Sequence, residues 1–183
     1  MGVDVHIAMG HTLDREGVLK LSSILNKEMS ALSEIWNKKP SKPSIWSPDG
    51  DVEKFPLSSR LDKEFYYSFD GPLGFCGCIS ENSIYFYHVT RWWGFIENES
   101  AQKQLLKSGE LFATILGASE FVFVPDSACK ESLVSDLVCD NKSYSEIITY
   151  LRACGEPSKT IKNLENSYEN AECMGYYIHK VKG

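Results

Sequence analysis

The sequence predicts an α/β fold of the α+β kind. It reads as one domain over its 183 residues, with a mixed, largely antiparallel sheet of about five to six strands and helices packed against it. Three observations predict this. Runs of β-forming residues over 64–70, 75–79 and 83–90 are separated by tight-turn residues, as in an antiparallel meander. Two stretches, 14–37 and 97–117, repeat apolar residues at helical spacing. Only the second of these reads as a crossover between strands, which excludes a doubly wound parallel sheet.

In chain order, Val3, Val5 and Ile7 alternate with Asp4 and His6 as a first strand, with Met9-Gly10-His11 as the turn out of it. Thr12 or Asp14 caps the helix that follows, whose stripe is Val18, Leu21, Leu25, Met29, Leu32 and Ile35, with Ile24 and Trp36 alongside. From Asn37 to Lys63 the pattern dissolves into a long irregular Pro/Ser-rich loop containing Pro40, Pro43, Pro48 and Pro56, which Trp46 and Phe55 pin to the body. The meander then places Phe65, Tyr67 and Phe69 on one face, turns at Gly71-Pro72-Leu73-Gly74, and puts Cys76 and Cys78 on one side of its second strand.

The stretch from Arg91 to Ser127 organises the rest. Asn98 is the N-cap of a helix whose stripe is Ala101, Leu105, Phe112 and Ile115, with Leu116 widening it and Gly117 as the residue that ends it. Gly109 lies on the same stripe, where glycine costs about 1 kcal/mol against alanine. Either the helix backbone approaches the sheet closely there, or the helix breaks in two. Phe121–Val124 has the length and residue types of a buried strand, which Pro125 ends. A short helix over 128–138 follows. Ser143 and Glu146 form a capping box opening a helix with Ile147, Ile148 and Leu151, which Gly155 and Pro157 stop. The last strand is Met174–Val181, with Tyr176 and Ile178 facing opposite to Tyr177 and His179.

Composition narrows the function classes. Apolar content of 43% and aromatic content of 12% belong to a folded chain. A net charge of −6 argues against nucleic-acid binding, which usually needs a basic face. No run approaches the ~18 apolar residues of a membrane span. The opening Met1-Gly2-Val3-Asp4 lacks the basic start and apolar run of a secretory signal, and His6 occupies the position where a myristoylation motif needs Ser or Thr. A cytoplasmic protein is expected, with its six scattered cysteines mostly reduced core residues. The Cys76-x-Cys78 pair lacks a second pair at finger-like spacing, and no phosphate loop or G-x-S-x-G elbow occurs. No metal and no cofactor are expected.

Two sets of residues remain as candidates. Arg91, Trp92, Trp93 and Phe95, with Trp46, are of the types enriched at interface hot spots, which combine large area with a polar handle. Adjacent Trp92 and Trp93, at the end of a strand, point to opposite faces, so at least one of them lies near the surface. The other set is His6, His88 and Asp126. His88-Val89-Thr90 resembles half the signature of the two-histidine phosphoesterases, a family in which two such motifs face each other across a phosphodiester, one His as base and one as acid. The other site reads His6-Ile7-Ala8 and lacks the hydroxyl residue that would hold the phosphate. Asp126, in the Pro125-Asp126-Ser127 turn at a strand end, is a candidate base or phosphate contact, or a helix cap.

The expected function is therefore a non-enzymatic cytosolic domain that binds a partner protein. In general character it is similar to bacterial immunity proteins, which neutralise a toxin by covering its basic active site. The alternative is a small hydrolase or phosphoesterase using His6, His88 and Asp126, which requires both histidines to face one pocket.

Overall fold

A computed structural model of the chain describes residues 3–40, 46–48, 66–126, 134–167 and 175–182. Among the described residues, seven strands form one sheet in the order β2-β3-β4-β5-β1-β6-β7. They are β1 (Asp4–Gly10), β2 (Ser47–Pro48), β3 (Tyr66–Asp70), β4 (Phe75–Ser80), β5 (Ser83–Arg91), β6 (Glu120–Pro125) and β7 (Tyr177–Lys180). Every pairing is antiparallel, so the parallel component of a mixed sheet is absent among the described strands. The meander is β3-β4-β5, as its turn residues predict. Because β5 and β6 both run antiparallel to β1 and flank it, they are parallel to each other, and the chain between them is a crossover. The β1–β2 connection, which passes β5, β4 and β3 to a strand parallel to β1, is a second, where one was expected.

The β1 strand runs three residues beyond Ile7, into the segment read as a turn. It lies between β5 and β6, and the ladder with β5 continues through Met9 opposite Ile84 and Gly10 opposite Ser83. Its central place also explains why Asp4 to Met9 are all buried despite the period-two sequence: both sheet faces are covered.

On the first face lie Val5, Ile7, Phe69, Phe75, Phe86, Phe121 and Phe123. Helices α1 (Arg15–Leu19), α2 (Leu21–Lys27), α3 (Met29–Trp36), α4 (Trp92–Glu97) and α5 (Glu99–Leu116) cover it. On the second face Ala8, Val122 and Val124 meet α6 (Val134–Cys139) and α7 (Tyr144–Cys154).

The single long helix expected over 14–37 is three segments. At Lys20 and Glu28 the backbone turns to φ near −95° and ψ near 5°, and the Glu28 N–H closes a tighter turn onto the Leu25 carbonyl. The helical ladder resumes from Ile24 and Leu32, so Leu21, Leu25 and Leu32 still bury on one side. Asp14 is the cap, accepting from the Gly17 N–H at 2.8 Å. Thr12 serves elsewhere: its N–H and hydroxyl both donate to the Leu116 carbonyl at the far end of α5.

Helix α5 is continuous through Gly109, which decides between the two readings of that residue. A Cβ there would stand 2.5 Å from the Phe121 ring, so the missing side chain is what lets the helix lie against the sheet. Asn98 caps α5, accepting from the N–H groups of Ser100 and Ala101, and the capping box of Ser143 and Glu146 opens α7. The short helix α4 was not expected. Trp92, Phe95 and Ile96 at helical spacing are its buried face. Phe55, Ser127 and Cys129, most of the 37–63 loop, and the start of the helix expected over 128–138 lie outside the described residues. Among the described residues no helix is long and apolar enough to cross a membrane.

Candidate functional site

One end of the sheet, where β1 begins and β5 and β6 finish, gathers several of the candidate residues. Register places Asp4 opposite Arg91 across an irregularity between Asp4 and Val5, and places Val5 opposite Pro125. The extra residues this puts into β5 carry Arg91 back over β1. Its Nη1 donates to Asp4 Oδ1 at 2.8 Å, and the Tyr87 hydroxyl donates to Asp4 Oδ2 at 3.0 Å. Asp4 is 8% exposed, so both oxygens of a nearly buried carboxylate are satisfied by charge-assisted bonds. Beside it, the Asp126 N–H donates to the Asp4 carbonyl at 3.0 Å. Asp126 thus belongs to this end of the sheet, with its backbone tying β6 to β1.

Arg91 then passes into α4, where the two tryptophans part. Trp92 is 1% exposed and Trp93 42% exposed. The Trp92 N–H donates to the Val3 carbonyl at 2.8 Å, which holds the helix start against β1. Phe95 and Trp46 are core residues, at 0% and 2% exposure. Phe95 packs on Trp92 and Phe123. Trp46 sits among Phe69, Phe86 and Phe112, its N–H held by the Asn26 side chain. Trp92, Phe95 and Trp46 are therefore corrected from contact residues to packing residues. Arg91, with its side chain 61% exposed, and Trp93 are the surface members of the set.

The two candidate histidines lie on opposite faces of the sheet. His88, opposite Val5 and Phe75, stacks on Trp36 at 4.6 Å and against Phe75 at 4.4 Å on the first face. Its Nδ1 accepts from the Thr90 N–H and hydroxyl, so Nε2 carries the proton and donates to the Leu73 carbonyl at 3.2 Å. The His-x-Thr motif here locks one neutral tautomer in the core. Burial lowers the His88 pKa to about 4, against opposing pulls from the Leu73 hydrogen bond and Asp4.

His6 points to the second face, stacked on Tyr85 and edge-on to Tyr87. Burial likewise lowers its pKa to about 4, with Asp4 opposing. A mechanism in which His6 and His88 act on one bond has no shared pocket here.

What His6 does line is a pocket of about 200 Å³ with Ser68, Asp70, Cys76, Tyr85, Tyr87 and Ser135. Register explains it. Asp70, Cys76, Tyr87 and His6 are consecutive partners across β3, β4, β5 and β1, and residues in one row of an antiparallel sheet share a face. The Cys76 thiol donates to Asp70 Oδ1 at 3.3 Å. His6 is 5% exposed, and its Nδ1 has no hydrogen-bond partner among the described residues. Tyr87 and Asp4 join this pocket to the Arg91–Trp93 junction. Sequence reasoning missed Asp4 and Asp70 as site residues. The alternation that puts Asp4 beside His6 was visible, but which strands would flank β1 was not.

Comparison with protein-family models, with curated proteins and with solved structures gives no match.

Proposed function

We propose that this chain is a non-enzymatic cytosolic binding protein that docks a basic partner protein over the sheet end carrying Arg91 and Trp93. The observation that carries the reading is Trp93: a large aromatic ring, 42% exposed, at the start of a helix whose other aromatic residues are buried. A partly exposed tryptophan next to an arginine that an ion pair holds in place is the kind of anchor that dominates interface energies. The adjoining pocket, with Tyr85 and Tyr87 in its walls and exposed Asp70 at its rim, suits a cationic side chain, because carboxylate and aromatic faces both attract it. A net charge of −6 favours encounter with a basic surface. An inhibitor-type role, in the manner of bacterial immunity proteins that cover a basic active site, is the form of binding these features fit.

Affinity capture from source-cell lysate tests this, with the wild-type chain, Trp93→Ala and Leu19→Ala as baits. Leu19, 65% exposed on α1, is the control for loss of any exposed apolar side chain. A basic protein retained in stoichiometric amount by wild type and Leu19→Ala, and lost by Trp93→Ala, supports the reading. Equal retention by all three baits removes Trp93 as the anchor, and no retention by wild type removes the reading itself.

A further inference from the structure

The Cys78 and Cys139 sulfurs stand 3.8 Å apart, although 61 residues separate them in sequence. Cys78 is buried on the second face of β4, and Cys139 is half-buried at the end of α6. We propose that these two thiols are an oxidisable pair that a peroxide converts to a disulfide joining β4 to α6.

The pairing is held from outside the thiols. The turn after α6 is fastened to the β4–β5 turn by the Asn82 side-chain amide, which donates to the Asn141 carbonyl and Oδ1, both at 3.1 Å. The Ser83 hydroxyl donates to the Lys142 carbonyl at 2.6 Å. Asn141 itself sits at φ 58°, a left-handed position that asparagine tolerates. These contacts fix the end of α6 over β4, so the sulfurs need to close by only about 1.8 Å to reach bonding distance. Cys76, the other thiol on that face of β4, is turned to Asp70.

The hydrogen bond the two thiols share lowers the Cys139 pKa, while the same bond and then burial raise Cys78. Cys139, the more exposed of the two, is therefore the attacking thiolate. Its sulfur takes one peroxide oxygen as the O–O bond breaks and the other oxygen leaves as water, giving a sulfenic acid. Cys78 sulfur then displaces that oxygen: the S–S bond forms, the S–O bond breaks, and the Cys78 proton leaves with the second water. Two thiols are oxidised by two electrons in all, and one peroxide is reduced to two waters.

The test uses the full reduced chain with hydrogen peroxide, followed by alkylation of remaining thiols and non-reducing peptide mapping. The expected product has lost about 2 Da, has two fewer alkylated cysteines, and yields one cross-linked peptide pair containing Cys78 and Cys139. Cys139→Ser forms no such cross-link. Asn82→Ala, which releases the turn without touching either thiol, forms it several-fold more slowly. Both cysteines alkylated as before, Cys139 halted at a sulfur acid, or Cys139 joined to a different cysteine would each overturn the proposal. An undiminished rate in Asn82→Ala would overturn the positioning on which it rests.

Discussion

Replacing Gly109 by alanine sets two known effects against each other, and the structure decides which wins. In an exposed helix interior the change stabilises by about 1 kcal/mol, because glycine loses more backbone freedom on folding. Here the new methyl would lie 2.5 and 2.6 Å from two carbons of the Phe121 ring, about 1 Å inside ordinary contact distance. The ring has little room to yield. Phe121 is wholly buried, edge-on to Phe123 at 5.4 Å and tilted against His179 at 5.0 Å. Overpacking a full core typically costs about 1–3 kcal/mol, and a conflict at two ring atoms belongs in the upper half of that range. The net expectation is a destabilisation of about 1–2 kcal/mol, read as a melting temperature lowered by about 2–8 °C. Urea midpoints of Gly109→Ala, Phe121→Leu and the double variant complete the test. With the ring cut back, the alanine becomes neutral or stabilising, so the two changes couple strongly. A Gly109→Ala protein more stable than wild type would refute the close approach of α5 to the sheet.

Two other predictions concern stability. Asn98→Ala removes the acceptor for two N–H groups at the start of α5 and costs about 1 kcal/mol, while Asn98→Asp is near neutral, by the same urea titration. His6 and His88 are each held near pKa 4 in the folded chain, against an ordinary 6.5. The unfolded chain therefore binds more protons between those values. The contribution of each neutral imidazole is complete above pH 6.5 and is lost as pH falls towards 4, about 3 kcal/mol apiece over the full window. Stability measured from pH 7.5 to 4.5 should fall less steeply in His88→Gln than in wild type. Parallel profiles would show that His88 is not held neutral.

What could be read from the sequence was local, and what could not depended on register. The cap at Asn98, the stripe from Leu105 to Leu116 and the stop at Gly117 all lie within one helix, so their spacing alone specifies it. The meander is legible for the same reason, since its turns sit between adjacent runs. Helix α4 carries a readable signal in Trp92, Phe95 and Ile96, but these residues also fit an aromatic contact surface, and only burial separates the two. That Trp92 and Trp93 diverge could be anticipated; which of them faces out could not.

The breaks at Lys20 and Glu28 have no marker such as proline. The site shows the limit most clearly. The polar row through Asp70, Cys76, Tyr87 and His6 joins four strands whose order and offset no short window contains. Strand alternation sends His6 and His88 to opposite faces once Val5 pairs with His88.

The binding claim is tested most directly by the dissociation constant of the captured partner for wild type and Trp93→Ala, measured by calorimetric titration. An anchor residue contributes about 2 kcal/mol or more, so the account predicts affinity weakened about 30-fold or more by Trp93→Ala. Leu19→Ala should leave it unchanged. A Trp93→Ala constant within about twofold of wild type, a difference under 0.5 kcal/mol, would contradict the claim that the partner docks on this end of the sheet.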